Sequence, residues 1–295
     1  MNLLVTLCNR DVLWDSAWRD VYLLVVNPTD GTITPVGLPK EILKDSAGMT
    51  GIAPCPGGYV AVLQPSGLLF LSDRLEAREL IQVKEMRDGH SVAFHDGKYY
   101  VVSTGTDCLL EVSGHEKARV AWSASRSGRD THHVNSVLWH EGGCWVTLFG
   151  PKDGGHWSSA MQGQILNVQT GETIVEGLHH PHSLIANDEG FLVCESARMA
   201  IRGTAIETVV APRGYLRGLA VERNRMFVGS SVGRQRSKST GEVVSSAGEQ
   251  GKVRGECGIV VLDRDEAGGP YQERSFIPLG EYANEIYDVV VWPTA

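Results

Sequence analysis

One short phrase recurs along this chain and limits what it can fold into. Its clearest copy is Leu178-His179-His180-Pro181-His182-Ser183-Leu184-Ile185-Ala186, followed by a turn at Asn187-Asp188-Glu189-Gly190 and a second apolar run, Phe191-Leu192-Val193-Cys194. The pattern is a polar residue, a small residue, an apolar stretch, a polar turn and another apolar run. Similar phrases begin at Thr50-Gly51, His90-Ser91, Asn135-Ser136, Arg217-Gly218 and Tyr287-Asp288. Their small residues lie 40, 45, 47, 35 and 70 positions apart. That spacing suits a repeat of four-stranded units of about 40 to 50 residues carrying insertions.

The apolar runs are short, alternate with polar residues and are separated by Gly, Asp and Asn, while helical periodicity is nearly absent. The expected fold is all-β: a six-bladed β-propeller, with residues 1–295 as a single domain. The last copy of the phrase, in 285–292, has no strands after it. The N-terminal runs Asn2 to Cys8 and Val21 to Val26 are expected to complete its blade, so that strands from both termini close the ring and leave no exposed sheet edge. Two loops exceed what a blade needs. One, at 150–163, contains His156, Trp157 and Met161; the other, at 233–255, carries Arg234, Arg236, Lys238, Lys252 and Arg254, and reads equally as a lid or as a floppy insertion.

Composition narrows the partners. A net charge of −8 and a pI near 5.7 argue against nucleic acid and against acidic membrane surfaces, both of which call for clustered positive charge. No 18-residue apolar run is present, so no membrane span is expected, and the apolar run in Met1 to Cys8 is too short for a signal peptide. The six cysteines are dispersed without C-x-x-C spacing, which suits a reduced, cytoplasmic protein. No nucleotide cofactor is expected. Walker and dinucleotide glycine patterns are missing, and Gly229-Ser230-Ser231-Val232-Gly233 follows a strand without a helix after it. The oligomeric state is not legible.

In a propeller the first strand of each blade lines the central channel, so the polar residue opening each phrase faces the mouth. Thr50, His90, Asn135, His182, Arg217 and Tyr287 should therefore converge, with His132, His133, His179, His180 and Glu285 just upstream. Neutral imidazoles beside Asn and Glu suit a divalent transition metal such as zinc or iron, and His90, His133 and His182 are its expected ligands. The bland alternative is that these imidazoles plug the mouth by satisfying loop backbone. Thr50, His132, Asn135, His180 and Arg217 are the expected substrate contacts. Arg217 has two readings, as a bidentate anion binder and as a structural ion pair with Glu285. Glu285, Tyr287 and Arg217 are the expected catalytic groups. Asp288, in a small-residue slot, is expected to bond to backbone. Trp14 and Trp18 suit packing between blades, and His95 and His140 suit surface turns.

Val134-Asn135-Ser136-Val137-Leu138 resembles the P-N-G-L-A turn of the gluconolactonase and paraoxonase group of six-bladed propellers. In that group the Asn is a divalent-metal ligand, which implies metal-assisted hydrolysis at Asn135. His90 and His182 stand where the group has carboxylates, implying a softer metal than calcium. A closer resemblance spans much of 85–293. His133-Val134-Asn135-Ser136-Val137, Pro181-His182-Ser183, Leu216-Arg217-Gly218-Leu219-Ala220, Cys257-Gly258-Ile259-Val260-Val261-Leu262-Asp263 and Glu285-Ile286-Tyr287-Asp288-Val289 look like the successive marks of a bacterial family of uncharacterised propeller-like proteins. That family implies the fold and no activity. The expected function is a small-molecule enzyme, a metal-assisted hydrolase, lactonase or lyase acting on an anionic substrate. The alternative is a non-catalytic propeller binding a small ligand or protein through the same face.

Overall fold

The computed structural model describes residues 1–8, 18–114, 118–152, 157–232, 255–265 and 268–293. They form six four-stranded antiparallel sheets in a ring, the expected six-bladed propeller. The innermost strands are Ile286–Trp292 in blade 1, Gly48–Cys55 in blade 2, Gly89–His95 in blade 3, Val134–His140 in blade 4, Pro181–Asn187 in blade 5 and Tyr215–Glu222 in blade 6. Each carries one copy of the phrase. Blade 1 joins Ile286–Trp292 to the N-terminal strands Asn2–Leu7, Leu23–Val26 and Ile33–Pro35, with Val5 paired to Val289, so the two ends of the chain close the ring as expected. The short helix Lys40–Leu43 tucks Leu43 against blades 1 and 2.

Within each blade the inner hairpin is set by its turn. In blade 3 Asp96 and Gly97 have φ of 48° and 74° between the paired residues His95 and Lys98, the two-residue turn whose twist matches the strands. Blade 4 makes the same turn with Glu141 and Gly142 between the paired residues His140 and Gly143.

Apolar side chains pack between blades as one cluster per junction. Leu4, Leu23, Met49 and Leu69 join blades 1 and 2, for example, and Leu192, Ile201, Leu216 and Met226 join blades 5 and 6. Cys8, Cys108, Cys144, Cys194 and Cys257 are buried among such residues, Cys55 is partly buried, and all six are free thiols.

Near the axis the phrase itself locks the blades. In blades 2 to 6 the register of the inner strand slips at the phrase, between Met49 and Ile52, Gly89 and Val92, Val134 and Ser136, His182 and Ile185, and Leu216 and Leu219. A bulge of this kind re-aims the residues it contains. It turns each small residue towards the next blade. The backbone N–H of Val137 donates to Ser91 Oγ, that of Ser183 to Ser136 Oγ, that of Gly218 to Ser183 Oγ and that of Ile52 to an Asp288 carboxylate oxygen. The expectation that Asp288 bonds to backbone holds. At the other two junctions the small residue is glycine. A Cβ on Gly51 would sit 2.7 Å from Ser91 Cα, and one on Gly218 would sit 2.6 Å from Val289 Cγ2. Four junctions are therefore closed by a side-chain acceptor and two by direct backbone approach, so this slot tolerates only small or acceptor-bearing residues.

Candidate functional site

The phrase's opening residues do converge at one mouth of the channel. Ring contacts run in a closed circuit around it. His90 packs on Tyr287 with centroids 5.2 Å apart and on His133 at 5.4 Å; His133 packs on Phe149 at 4.3 Å; Phe149 packs on His182 at 5.2 Å; and His182 packs on Tyr215 at 5.4 Å. The Arg217 guanidinium closes the circuit, 5.0 Å from the Tyr215 ring and 4.7 Å from the Tyr287 ring. Trp157, from the 150–163 loop, packs on His133 at 4.6 Å; His156 of the same loop, and the cationic residues of the 233–255 loop, lie outside the described residues, as does Trp14.

Two imidazoles are oriented by a repeated backbone device. Asp88 and His180, each two residues before a phrase histidine, have φ of 51° and 54°. This left-handed turn swings their carbonyls back over the phrase: His90 Nδ1 lies 2.9 Å from Asp88 O, and His182 Nδ1 lies 3.0 Å from His180 O. A carbonyl can only accept, so Nδ1 carries the proton in both rings and a neutral ring keeps its lone pair on Nε2. Ser196 Oγ, whose own proton goes to Leu216 O, lies 2.8 Å from His182 Nδ1 and fixes the same tautomer. Burial holds the His90 pKa down to about 4 and that of His182 well below the ordinary imidazole value, with the Arg217 charge lowering both further. These rings are neutral acceptors at neutral pH.

His133 also has positive φ, at 54°, and its Nδ1 lies 3.0 and 3.2 Å from the two oxygens of Asp130. The segment that carries it hangs on one buried carboxylate: the N–H groups of Thr131, His132 and His133 all donate to Asp107. Asp107 thereby satisfies three backbone donors that would otherwise be stranded near the mouth.

Four polar atoms in this mouth are buried without a hydrogen-bond partner among the described residues: Asn135 Nδ2, His182 Nε2, Arg217 Nε and Trp157 Nε1. Arg217 is 8% exposed and its nearest carboxylate contact is Glu285, with Nη1 3.9 Å from Oε1. That ion pair exists, as one reading of the sequence required, but it is long and leaves the guanidinium edge uncommitted. Glu285 is 2% exposed and Tyr287 5% exposed, so both expected proton carriers lie buried against Arg217.

Other expected contacts are spent on the fold. Thr50 is fully buried and its Oγ1 donates to Gly89 O in the next blade. His180 has both ring nitrogens occupied, with Nε2 2.7 Å from Trp157 O and Nδ1 3.1 Å from Tyr215 Oη, and its ring stacks on Phe149 at 4.7 Å. His132 is half-buried beside Thr131 and Asp107. His95 stacks on Trp139 at 3.8 Å and His140 packs on Phe191, so both are partly buried ring partners. Among the described residues no three His, Cys, Asp or Glu side chains are grouped to hold an ion. The imidazoles of His90 and His133 touch, but Phe149 stands between His133 and His182, and the three are not grouped as a ligand set.

Phe149, Tyr215, Ser196, Asp107 and Asp130 were not singled out in the sequence. Tyr215 carried a usable signal: it stands two residues before Arg217, as His180 does before His182 and Glu285 before Tyr287. With a strand's period of two, these residues form a second tier above the first.

Among solved structures the chain is similar over nearly all of its length to several others. A chain from a nidogen–laminin complex matches with a TM-score of 0.63 and 9% identity, covering 98% of this chain and 97% of that one. A candidate 6-phosphogluconolactonase from Bacteroides fragilis NCTC 9343 matches with a TM-score of 0.54 and 10% identity, covering 98% and 97%. A second, from Bacteroides uniformis ATCC 8492, matches with a TM-score of 0.52 and 11% identity, covering 94% and 82%. At these identities the likeness is one of fold. No curated protein sequence matches. No helix among the described residues is long and apolar enough to cross a membrane. The chain does match a family model over residues 73–295, the part that holds blades 3 to 6 and the last strand of blade 1, and with it all the marks noted in the sequence: the protein belongs to the family described as a domain of unknown function, DUF4915.

Proposed function

We propose that this protein is a small-molecule enzyme working at the histidine mouth, where Arg217 binds a carboxylate or phosphate of the substrate and His182 moves a proton in hydrolytic, lactone-opening chemistry. The observation that carries this reading is that three of the mouth's four buried, unpartnered atoms, Asn135 Nδ2, His182 Nε2 and Arg217 Nε, belong to residues that open a phrase. Burying polar groups unsatisfied costs about 1–3 kcal/mol each. A fold that could plug them with a serine, as it does for backbone donors at three blade junctions, keeps them open for a ligand.

Their chemistry is complementary. The guanidinium lies between two aromatic rings in a water-poor site, where its attraction for an anion is stronger than at the surface. Asn135 Nδ2 supplies N–H donors suited to an oxygen that gains charge as water adds to an acyl carbon. His182, with its proton fixed on Nδ1, offers an Nε2 lone pair to take the proton from that water. The acyl–oxygen bond of the lactone then breaks, and the ring oxygen leaves as the hydroxyl by accepting the same proton. No metal step enters, because the imidazoles are not grouped for one.

The test is a set of carboxylate- and phosphate-bearing lactones offered to the full-length protein. Wild type should turn over at least one; Arg217→Ala should lose binding, and His182→Ala should keep binding while losing turnover. Turnover that survives His182→Ala sinks the catalytic assignment. Saturable binding without turnover by wild type would instead favour a non-catalytic ligand-binding propeller using the same mouth.

A further inference from the structure

Beyond the waist formed by the small residues, the channel opens into a second cavity of about 390 Å³, within the size range of small-molecule sites. It is lined by all six inner strands, and the period of two decides which side chains it sees. Two residues past each small residue come Ala53, Ala93, Leu138, Ile185, Ala220 and Val290, an apolar ring. The floor is Ser91, Ser136, Ser183 and Asp288, and Asp288 is the one residue with a formal charge among those lining the cavity. Its carboxylate oxygens accept from the N–H groups of Ile52 and Val289, at 3.2 and 3.0 Å, while the residue remains partly exposed. An anionic group at the end of an apolar chamber is matched by a cation with an apolar body.

We propose that this half of the channel is a second ligand site, taking a small alkylammonium-type cation whose ammonium sits on Asp288 and whose apolar body fills the Ala53, Ala93 and Ile185 side of the chamber. The site is independent of the histidine mouth, since none of the residues proposed for catalysis lines it. Burial raises the Asp288 pKa to about 7, with the two N–H groups opposing the rise. Among the other ionisable groups on the surrounding strands, Asn2–Leu7 has none, Cys55, His95, His140 and Glu222 end their strands, His90, His182, Arg217 and Tyr287 do not line the cavity, and burial together with the Asp288 charge keeps the Cys194 thiol protonated. A cation that needs the ionised carboxylate should therefore bind more weakly, by about tenfold per pH unit, as pH falls below 7.

The probe is n-butylammonium, titrated into the full-length protein by calorimetry, with 1-butanol and butyrate as controls. One ion should bind per chain; Asp288→Asn should weaken it at least tenfold, and Ala93→Leu, which fills the chamber without touching the acid, should abolish it. Neither control should match it. Absence of saturable binding to folded wild type, or equal binding by folded Asp288→Asn, overturns the proposal. Should Asp288→Asn fail to fold, Ala93→Leu and the pH dependence decide it: binding unmoved by both overturns it as well.

Discussion

The two halves of the channel are built from the same six strands and have opposite chemistry. Above the waist, the bulged phrase presents histidines, Asn135 and Arg217 among aromatic rings, and the imidazoles of His90 and His182 are kept neutral by burial. Below it, the regular part of each strand presents alkyl side chains over one carboxyl held partly protonated near pH 7. The difference shows what a bulge does in a propeller: it breaks the period of two at one point, so a polar tier and an apolar tier can follow each other along one strand. It also separates the titrations. Acid charges the upper half and neutralises the lower.

The sharpest way to break the comparison is Arg217→Ala. Removing the buried cation should weaken anion binding at the histidine mouth by at least a hundredfold, the scale of a lost charge-assisted contact. Butylammonium binding below the waist should be unchanged. If calorimetry shows both falling together, the halves are not separate sites.

Gly218→Ala tests the waist. Its φ is +78° and an added Cβ would lie 2.8 Å from Val289 N, so about 2–4 kcal/mol of stability should go, read as a lowered urea midpoint. Ser183→Ala removes one acceptor from the Gly218 N–H and should cost less, about 1–2 kcal/mol. Equal midpoints for Gly218→Ala and wild type would show that the blades can separate at the axis without penalty.

Stability against pH sharpens the contrast further. His90 and His180 have folded pKa values near 4, below the unfolded value of 6.5. The unfolded chain therefore binds more protons, and stability falls as pH drops from 6.5 towards 4, by up to roughly 3 kcal/mol per imidazole. Asp288 works in the other direction. Its folded pKa near 7 lies above the unfolded 3.8, so stability is regained as pH falls from 7 towards 4. Asp288→Asn removes only that gain, and its stability should drop more steeply than wild type across this window in urea titrations at stepped pH. A shallower drop would mean that Asp288 is ionised throughout. The smallest effect expected is that of a chelator. With the imidazoles set apart, dialysis against EDTA should leave ligand binding at the histidine mouth unchanged; binding that is lost and then restored by zinc would bring back a metal centre at His90, His133 and His182.

The fold was legible because the repeat is written in residue types that the waist requires. Ser91, Ser136, Ser183 and Asp288 accept from the next blade and Gly51 and Gly218 make room for it, so the phrase has to recur at a blade's spacing. Convergence of His90, Asn135, His182, Arg217 and Tyr287 followed from that same equivalence. What each convergent residue does was not legible. Thr50 and His180 look as available as Asn135 and His182 until their partners Gly89, Trp157 and Tyr215 are in place, and those come from other blades or from a loop.

The sequence by itself determined the blade count, the closing of the ring by both termini and the list of side chains that gather at one mouth, because strand period and the steric demand of a small residue at the axis are local properties. Only the tertiary structure decided which of them stay open. Whether an imidazole is a plug or an acceptor depends on the carbonyl that takes its Nδ1 proton, and that carbonyl is placed by a left-handed turn at Asp88 or His180 which no residue type announces. The chamber below the waist was hidden for the same reason: alanine, leucine and valine in a strand read as core until the ring shows that they surround a space.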